Sequence, residues 1–209
     1  MDPHLWDMLG KGGLLGLAAG FSPGPLTVLV IGETLRHGLR SGLQVAIAPI
    51  LTDIPIILLA MFALERLLGW PLALGAVSLA GGAFLLWLGY RSMRVAGVDI
   101  PSAGSEPHSI RRAIAINLLN PNPYVFWVSV GVPTILNALT VSWGHAAAFL
   151  GAFFFFIVGS KALLARLVHG SRTFMSGGVY LWIMRLLGVL LVGYGLLLLK
   201  AGVARVVEG

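Results

Sequence analysis

The sequence predicts an all-α membrane protein with six transmembrane helices, arranged as two inverted three-helix repeats in which helices 1 and 4 are broken at proline motifs. Three observations lead to this fold class. Hydrophobic residues fill 57% of the 209 positions and charged residues 11%, whereas soluble domains carry about 25% charged residues. The apolar residues fall into six stretches, and similar short motifs occur in the first three stretches and in the last three stretches. A spanning helix needs about 20 apolar residues, so this chain has room for about six.

The six apolar stretches are separated by short loops, and two of them are interrupted by prolines. They cover residues 5–35, 43–64, 71–88, 113–136, 141–165 and 186–199. Only helices satisfy every backbone polar group in lipid without closing a barrel, and these stretches are too long and too uniformly apolar for barrel strands. The first stretch exceeds a signal-peptide core and lacks a small-residue cleavage pattern, so we expect it to be retained as the first helix.

Positive charges in the loops predict the orientation of the chain. Nine Lys and Arg residues belong to loops 1–2, 3–4 and 5–6, and four belong to the opposite side. Because loops rich in Lys and Arg stay in the cytoplasm, we expect a multi-pass protein of the inner (plasma) membrane with both termini outside the cytoplasm. The net charge of +6 lies in these short loops, which is the pattern of membrane orientation and does not indicate a nucleic-acid partner.

A polar stretch between the third and fourth apolar segments divides the chain into two halves. We expect residues 1–95 to form the first three-helix repeat, residues 96–110 a cytoplasmic linker, and residues 111–209 the second repeat of a single membrane domain. Three helices per half is an odd number, so the second half must be inverted relative to the first. Inverted repeats of this kind are common in secondary transporters.

The two proline motifs are the sharpest feature of the sequence. Ser22-Pro23-Gly24-Pro25 interrupts the first apolar stretch, and Asn120-Pro121-Asn122-Pro123 interrupts the fourth. Proline removes a backbone donor and clashes with the carbonyl four residues earlier, so each motif breaks its helix. Freed amides at a helix N-terminus suit a carboxylate, and freed carbonyls suit an ammonium group or a cation. Matched breaks predict a substrate site formed by both motifs and the nearby Asn117, with packing kinks and satisfied backbone groups as the alternative.

Two ionisable residues lie well inside apolar stretches, Asp53 in the second and Lys161 in the fifth. Charges within a bilayer are costly and are functional candidates by default, so we assign both residues to ion or proton coupling. If Gly89-Tyr90 and Gly193-Tyr194 are equivalent, Lys161 corresponds to Ile57, one helical turn from Asp53. The alternative is a structural ion pair between two helices, or a Lys161 that extends to the membrane interface.

The sequence lacks the residues that several kinds of functional site require. It has no cysteine, no pair of histidines at zinc-ligand spacing inside a span, and no phosphate-binding Gly-Lys-Ser/Thr loop. No nucleophile has an obvious base partner. We therefore expect no metal site, no cofactor and no enzymatic activity.

Four stretches, taken in order, resemble the lysine-exporter (LysE/RhtB-type) amino-acid efflux family. They are residues 16–25 (GLAAGFSPGP), 35–43 (LRHGLRSGL), 81–90 (GGAFLLWLGY) and 117–121 (NLLNP). The resemblance implies a six-helix exporter of amino acids or related small zwitterionic solutes, driven by an ion gradient such as that of protons, and it leaves a homodimer open. The chain departs from the family pattern at residues 48–55, which contain two prolines and an acid, and at Asn122-Pro123. Both departures lie close to the expected site and bear on the substrate.

Together these features predict a lipid-embedded secondary active exporter that works by alternating access at its two broken helices. Two alternatives remain. One is an inorganic cation exporter of the same architecture, with Asp53 and bare carbonyls as ligands, although a single membrane acid offers few ligands for a divalent ion. The other is a membrane enzyme or a scaffold that transports nothing.

Overall fold

Every element in the described part of the chain is helical. The structure, a computed structural model, describes residues 2–65, 71–94, 110–170 and 178–208. Within these ranges the α-helices are α1 Pro3–Phe21, α2 Pro25–His37, α3 Leu39–Ala46, α4 Ala48–Glu65, α5 Pro71–Met93, α6 Ile110–Leu118, α7 Pro121–Phe126, α8 Val132–Leu139, α9 Trp143–Gly170 and α10 Gly178–Glu208. A π-helical turn, Trp127–Gly131, joins α7 to α8. The predicted linker lies outside the described residues except for its last residue, Ile110, which begins α6.

The described helices follow the order of the predicted apolar stretches. The first stretch forms α1 and α2, the second α3 and α4, the third α5, the fourth α6 to α8, the fifth α9 and the sixth α10. α10 extends well beyond the predicted 186–199, so Arg185 lies inside a helix and not in loop 5–6. Its side chain is exposed, and a long arginine at a helix surface keeps its apolar stem packed while the guanidinium reaches polar surroundings. Arg66 and Arg172, which entered the charge count, lie outside the described residues.

Among the described residues, three helical segments are long and apolar enough to cross a membrane, namely Leu39–Leu64, Trp143–Gly170 and Leu181–Ala204. The pair α1 and α2 adds a fourth if it is one span, with a bend of 61° at its break. α6, α7 and α8 contain 9, 6 and 8 residues, so none of them alone spans the hydrocarbon, which takes about 20 residues. The chain is thus an all-helical protein with several candidate membrane spans.

Close contact between two pairs of long helices is made through glycines. α1 packs along α9, and α5 packs along α10. Gly12, Gly16 and Gly20 lie on the face of α1 that meets α9, where an added Cβ at any of them would collide with α9 atoms. Small residues of this kind let two helix backbones approach closely in a membrane. The small-residue face of α1 is therefore used within the chain.

The contact between α5 and α10 has a regular glycine ladder. Three glycines of each helix face the other helix, where an added Cβ would lie 2.6–3.0 Å from its nearest atom. The two helices run in opposite directions, and the spacing of seven residues repeats on both. The facing pairs are Gly75 with Gly202, Gly82 with Gly195 and Gly89 with Gly188.

An aromatic cluster fills the centre of the molecule beside the π-helical turn. Trp127 is fully buried, and its ring packs against Phe126 and Phe153 with centroids 5.0 and 4.9 Å away. A Cβ on Gly131 would collide with the Trp127 ring, so the absence of a side chain at that position makes room for the indole. The cluster connects α7 with α9 next to the second helix break.

The beginnings of α1 and α9 are joined by a small polar network. Asp2 caps α1 by accepting a hydrogen bond from the backbone N–H of His4 at 3.0 Å. Its other carboxylate oxygen lies 3.0 Å from Nε2 of His145, and Nδ1 of that histidine lies 2.7 Å from the Ser142 hydroxyl. The start of α1 and the turn before α9 therefore lie at the same end of the molecule.

Candidate functional site

The two helix breaks meet at one cavity with a volume of about 100 Å³. Nine of the eleven residues predicted from the sequence as site or coupling residues line it, and they are Ser22, Pro23, Gly24, Asp53, Asn117, Asn120, Asn122, Pro123 and Lys161. The other two, Pro25 and Pro121, are exposed and do not line the cavity. They occupy the first positions of α2 and α7, where proline's missing N–H has no helical partner to lose.

The first break is held together by a charged side chain from another helix. α1 ends at Phe21, and α2 begins at Pro25 after an extended Gly24. Nζ of Lys161, on α9, donates to the freed carbonyl oxygen of Gly20 at 3.2 Å and to the Thr27 hydroxyl at 3.0 Å. The Thr27 hydroxyl in turn donates to the carbonyl oxygen of Ser22 at 2.8 Å. Backbone groups released by the prolines thus find polar partners, as the apolar surroundings require.

The second break is satisfied from within its own segment. α6 ends at Leu118, and Asn120 caps α7 by accepting a hydrogen bond from the backbone N–H of Asn122 at 3.1 Å. The Tyr124 hydroxyl donates to the carbonyl oxygen of Leu118 at 2.8 Å. The helix resumes here at the first proline of its motif, Pro121, whereas the first break resumes at its second proline. The two motifs therefore interrupt their helices in related but unequal ways.

Asp53 is buried at the cavity wall, with 3% of its surface exposed. Its Oδ1 accepts hydrogen bonds from the Thr52 hydroxyl at 3.2 Å and from the Asn117 amide at 3.3 Å. The Asn117 amide also donates to the Thr52 hydroxyl at 2.6 Å, so α4 and α6 are joined by a closed triangle of polar groups. The indole of Trp127 lies near the same carboxyl group, while its buried N–H has no hydrogen-bond partner among the described residues.

Lys161 and Asp53 lie in the same cavity wall but have separate partners. Lys161 is also 3% exposed, and its ammonium group bonds to Gly20 and Thr27. No ion pair joins it to Asp53 within the described part of the chain. The two residues that the sequence placed near each other are brought together by the fold, yet they do not neutralise each other by direct contact.

The rest of the wall is apolar. Phe84 and Leu88 come from α5, Phe126 from α7, and Phe153 and Ile157 from α9. The cavity therefore combines one buried carboxylate, one buried ammonium group and several amides with a hydrocarbon surface, the mixture that small-molecule sites usually show.

Three residues that were not predicted as site residues lie at the cavity or contact its buried charges. Thr27 and Thr52 both bond to preceding carbonyl oxygens, and each also contacts the buried polar groups around Lys161 or Asp53. Phe153, within a run of four phenylalanines, is buried and lines the cavity. The sequence carries a weak signal for the threonines, since Thr52 directly precedes the membrane acid.

The described side chains do not form a metal-binding cluster. Among residues 2–65, 71–94, 110–170 and 178–208, no three or more His, Cys, Asp or Glu side chains come close enough together to hold a metal ion.

Comparison with known proteins identifies a family and relatives that match more than half of the chain. The family described as LysE type translocator matches residues 17–202. The chain is 30% identical over 138 residues to the uncharacterized membrane protein YahN of Escherichia coli, covering 63% of this chain and 61% of that protein, so it spans about three fifths of that relative's length. It is 26% identical over 171 residues to a leucine efflux protein of an Enterobacter species, covering 71% of this chain and 81% of the relative.

An arginine exporter protein, ArgO of Pectobacterium atrosepticum, is 32% identical over 129 residues, covering 58% of this chain and 62% of the relative. No solved structure matches the chain.

Proposed function

The chain belongs to the LysE type translocator family, and on that premise we propose that it is a secondary active exporter of an amino acid or a related small zwitterionic solute. Membership of a translocator family makes it a transporter and not an enzyme. The observation that carries the proposal is the single cavity lined by both helix breaks together with Asp53 and Lys161. Relatives named for leucine efflux and arginine export support an amino acid as the solute.

The helix contacts support an architecture of two inverted three-helix repeats, residues 1–95 and 111–209. In such an arrangement, each contact between two helices has a counterpart in which the halves are exchanged. The contact of helix 1 with helix 5, α1 with α9, has a counterpart in that of helix 4 with helix 2, where α6 and the π-helical turn pack on α4. The contact of α1 with α10 likewise corresponds to that of the π-helical turn with α5.

The glycine ladder supports the same symmetry. A two-fold axis between α5 and α10 exchanges Gly75 with Gly188, Gly82 with Gly195 and Gly89 with Gly202, and the same number of residues separates the members of each exchanged pair. In this register Gly193 is not the equivalent of Gly89, and an added Cβ at Gly193 would meet open space.

We place the protein in the inner membrane of a bacterial cell with both termini outside the cytoplasm. The Asp2–His145 contact brings the beginning of the described chain and the turn between helices 4 and 5 to one end of the molecule. Six spans place these two regions on the same side of the membrane, and the excess of Lys and Arg in the other loops makes that side the outer one.

Export by alternating access would use the two breaks as hinges around the cavity. Hinges in transporters are a few residues at element ends that absorb the change of backbone conformation. Lys161 is bonded to groups on both sides of the first break, so a change in its charge would alter how firmly α1 and α2 are held together. This links transport to an ion gradient, with Asp53 and Lys161 as the coupling residues.

An inorganic cation exporter fits the same cavity less well. A divalent ion takes six to eight oxygen ligands when it is calcium and near-octahedral oxygen ligands when it is magnesium. Asp53 is the one acidic residue among those described at the cavity, and the Lys161 ammonium group in the same wall repels a cation. The amino-acid exporter accounts for both charges.

The proposal is tested by efflux from proteoliposomes that contain the purified protein. Vesicles loaded with labelled amino acids should lose label faster than vesicles without protein. A proton gradient should drive the amino acid against its concentration gradient, and a protonophore should stop this movement by removing the proton gradient. Asp53→Asn should abolish the activity, whereas Asp7→Asn, at an exposed acid on α1, should retain it. Inertness toward all twenty amino acids, with folded protein in the vesicles, would overturn the proposed function.

A further inference from the structure

Two opposite charges face one buried cavity without touching each other. Asp53 and Lys161 are both 3% exposed, and both line the space between the helix breaks. Buried ions are normally paired, because each isolated charge loses its hydration without compensation. Here each charge is held by neutral hydrogen-bonding groups, and Asp53 and Lys161 attract each other without forming an ion-pair contact.

Each charged group also has hydrogen-bonding capacity left over. A lysine ammonium group has three N–H donors, and two of those of Lys161 are used by Gly20 and Thr27. The Asp53 carboxylate accepts both of its hydrogen bonds at Oδ1. Its Oδ2 takes part in neither of these two bonds, and the Trp127 indole lies beside the carboxyl group. The cavity wall thus offers one donor on a cation and one acceptor on an anion.

From this arrangement we propose that the cavity binds a neutral amino acid as its zwitterion, with the α-ammonium group at Oδ2 of Asp53 and the α-carboxylate at Nζ of Lys161. This inference rests on the proposed function of export and names the substrate class within it. The zwitterion supplies a directly contacting opposite charge for each buried group, so protein and ligand together bury no uncompensated charge. The apolar wall formed by Phe84, Leu88 and Phe126 receives the side chain.

The same charges discriminate against other amino acids. Arginine and lysine bring a second cationic group, and the described wall has no second acid to meet it. Glutamate and aspartate bring a second carboxylate, and Lys161 is the single cation of that wall. An extra charge would therefore be buried without a partner, which is strongly unfavourable.

The size of the cavity narrows the class further. Its volume of about 100 Å³ is below the 300–1,000 Å³ of typical ligand pockets. A short aliphatic side chain suits this space better than an indole or phenol ring. The ligand class is therefore a neutral amino acid with an aliphatic side chain, such as valine or leucine.

The test compares ligands that differ by one charged group, using the wild-type protein in detergent. Leucine, 4-methylpentanoic acid (which lacks the ammonium group) and 3-methylbutylamine (which lacks the carboxylate) are titrated with calorimetry, together with arginine and glutamate. We expect leucine to bind at least tenfold more tightly than the other four. Equal or tighter binding of either analogue, of arginine or of glutamate would overturn the assignment of a neutral zwitterion.

Variants locate each charged group of the ligand. Asp53→Asn should remove the preference for leucine over 4-methylpentanoic acid, and Lys161→Met should remove the preference over 3-methylbutylamine, while Lys200→Met, at an exposed lysine of α10, should keep both. Preferences that survive both cavity substitutions contradict the proposed orientation. Tightest binding of arginine, with efflux of arginine from vesicles, refutes this inference and leaves export intact. Absence of both binding and efflux for every amino acid refutes the proposed function as well.

Discussion

Lys161 donates a hydrogen bond to the carbonyl oxygen of Gly20 at 3.2 Å, across 141 positions of the chain. The carbonyl belongs to the last turn of α1, in which helical hydrogen bonding ends with the Ser22 N–H, just before the Pro23 break. A positive charge at a helix C-terminus is favourable because it complements the helix dipole. The lysine is therefore part of the fold of helix 1 as well as of the cavity wall.

Replacing this lysine should destabilise the protein as well as inactivate it. Lys161→Met leaves the Gly20 carbonyl without its described partner in an apolar setting, at a cost of about 1–3 kcal/mol. We expect a lower midpoint of thermal unfolding in detergent and loss of efflux from vesicles.

Lys200→Met is the matched control for this substitution, because Lys200 is exposed at the surface of α10. It should change neither the unfolding midpoint nor the efflux rate. A Lys161→Met protein as stable as the wild type would show that the bond to Gly20 does not hold the first break.

Asn117 should position Asp53, since its amide bonds both to the carboxylate at 3.3 Å and to Thr52 at 2.6 Å. Asn117→Leu keeps a similar volume and removes both donors. A hydrogen bond to a charged acceptor contributes about 1.5–3 kcal/mol, so we expect at least about a tenfold loss of substrate affinity or transport rate.

Efflux assays on folded protein measure this effect. Asn137→Leu, at an exposed asparagine on α8, should transport at the wild-type rate. Unchanged transport by Asn117→Leu would indicate that Asp53 keeps its geometry without the amide.

The glycine ladder predicts opposite outcomes for two substitutions on α10. At Gly188 an added Cβ would lie 2.7 Å from the carbonyl oxygen of Gly89 and 2.6 Å from Cγ of Met93, so Gly188→Ala should separate α5 from α10. Overpacking of this kind costs about 1–3 kcal/mol. At Gly193 the added Cβ meets open space, and alanine there should leave stability unchanged or raise it slightly, because glycine is the poorer helix former.

Thermal unfolding of the two purified variants compares these positions directly. Equal midpoints for Gly188→Ala and Gly193→Ala would show that the two long helices do not pack through the ladder.

The sequence located both helix breaks and the two buried charged residues because the relevant signals are strong. Two prolines that flank one residue break a helix, so both interruptions were located to within a few residues, whereas the lone Pro55 lies inside the continuous α4. A charge inside an apolar stretch is rare enough to mark Asp53 and Lys161 without any knowledge of their neighbours. Pairing the two breaks then predicted that the separate segments carrying these residues meet at one cavity.

The contacts between residues of the site could not be predicted from the sequence, for a physical reason. A helix that is apolar all around has no hydrophobic periodicity, so its sequence does not indicate which face is buried in protein. This is why Phe153 could not be distinguished from its exposed neighbour Phe155. For the same reason, the contacts of Thr27 with Lys161 and of Thr52 with Asn117 depend on helix rotation that only the packed structure defines.

The number of membrane crossings can be counted by labelling single cysteines, because the chain has no cysteine of its own. His37 lies exposed at the end of α2, and Thr140 lies exposed in the turn before α9. The proposed topology has three spans between these positions, so they lie on opposite sides. In intact cells a membrane-impermeant maleimide should label Thr140→Cys and should label His37→Cys only after the membrane is permeabilised.

Whether the number of crossings between the two positions is odd or even tests the segments that are least obvious as spans. α5 and the broken series α6 to α8 are absent from the helices that qualify as continuous spans by length and composition, and both must cross the membrane for the count to be three. Labelling of both cysteines from the same side would require an even number of crossings and would contradict the inverted repeat. Labelling of His37→Cys alone from outside would reverse the orientation while keeping the six-helix architecture. Labelling after denaturation is the control that both thiols are reactive.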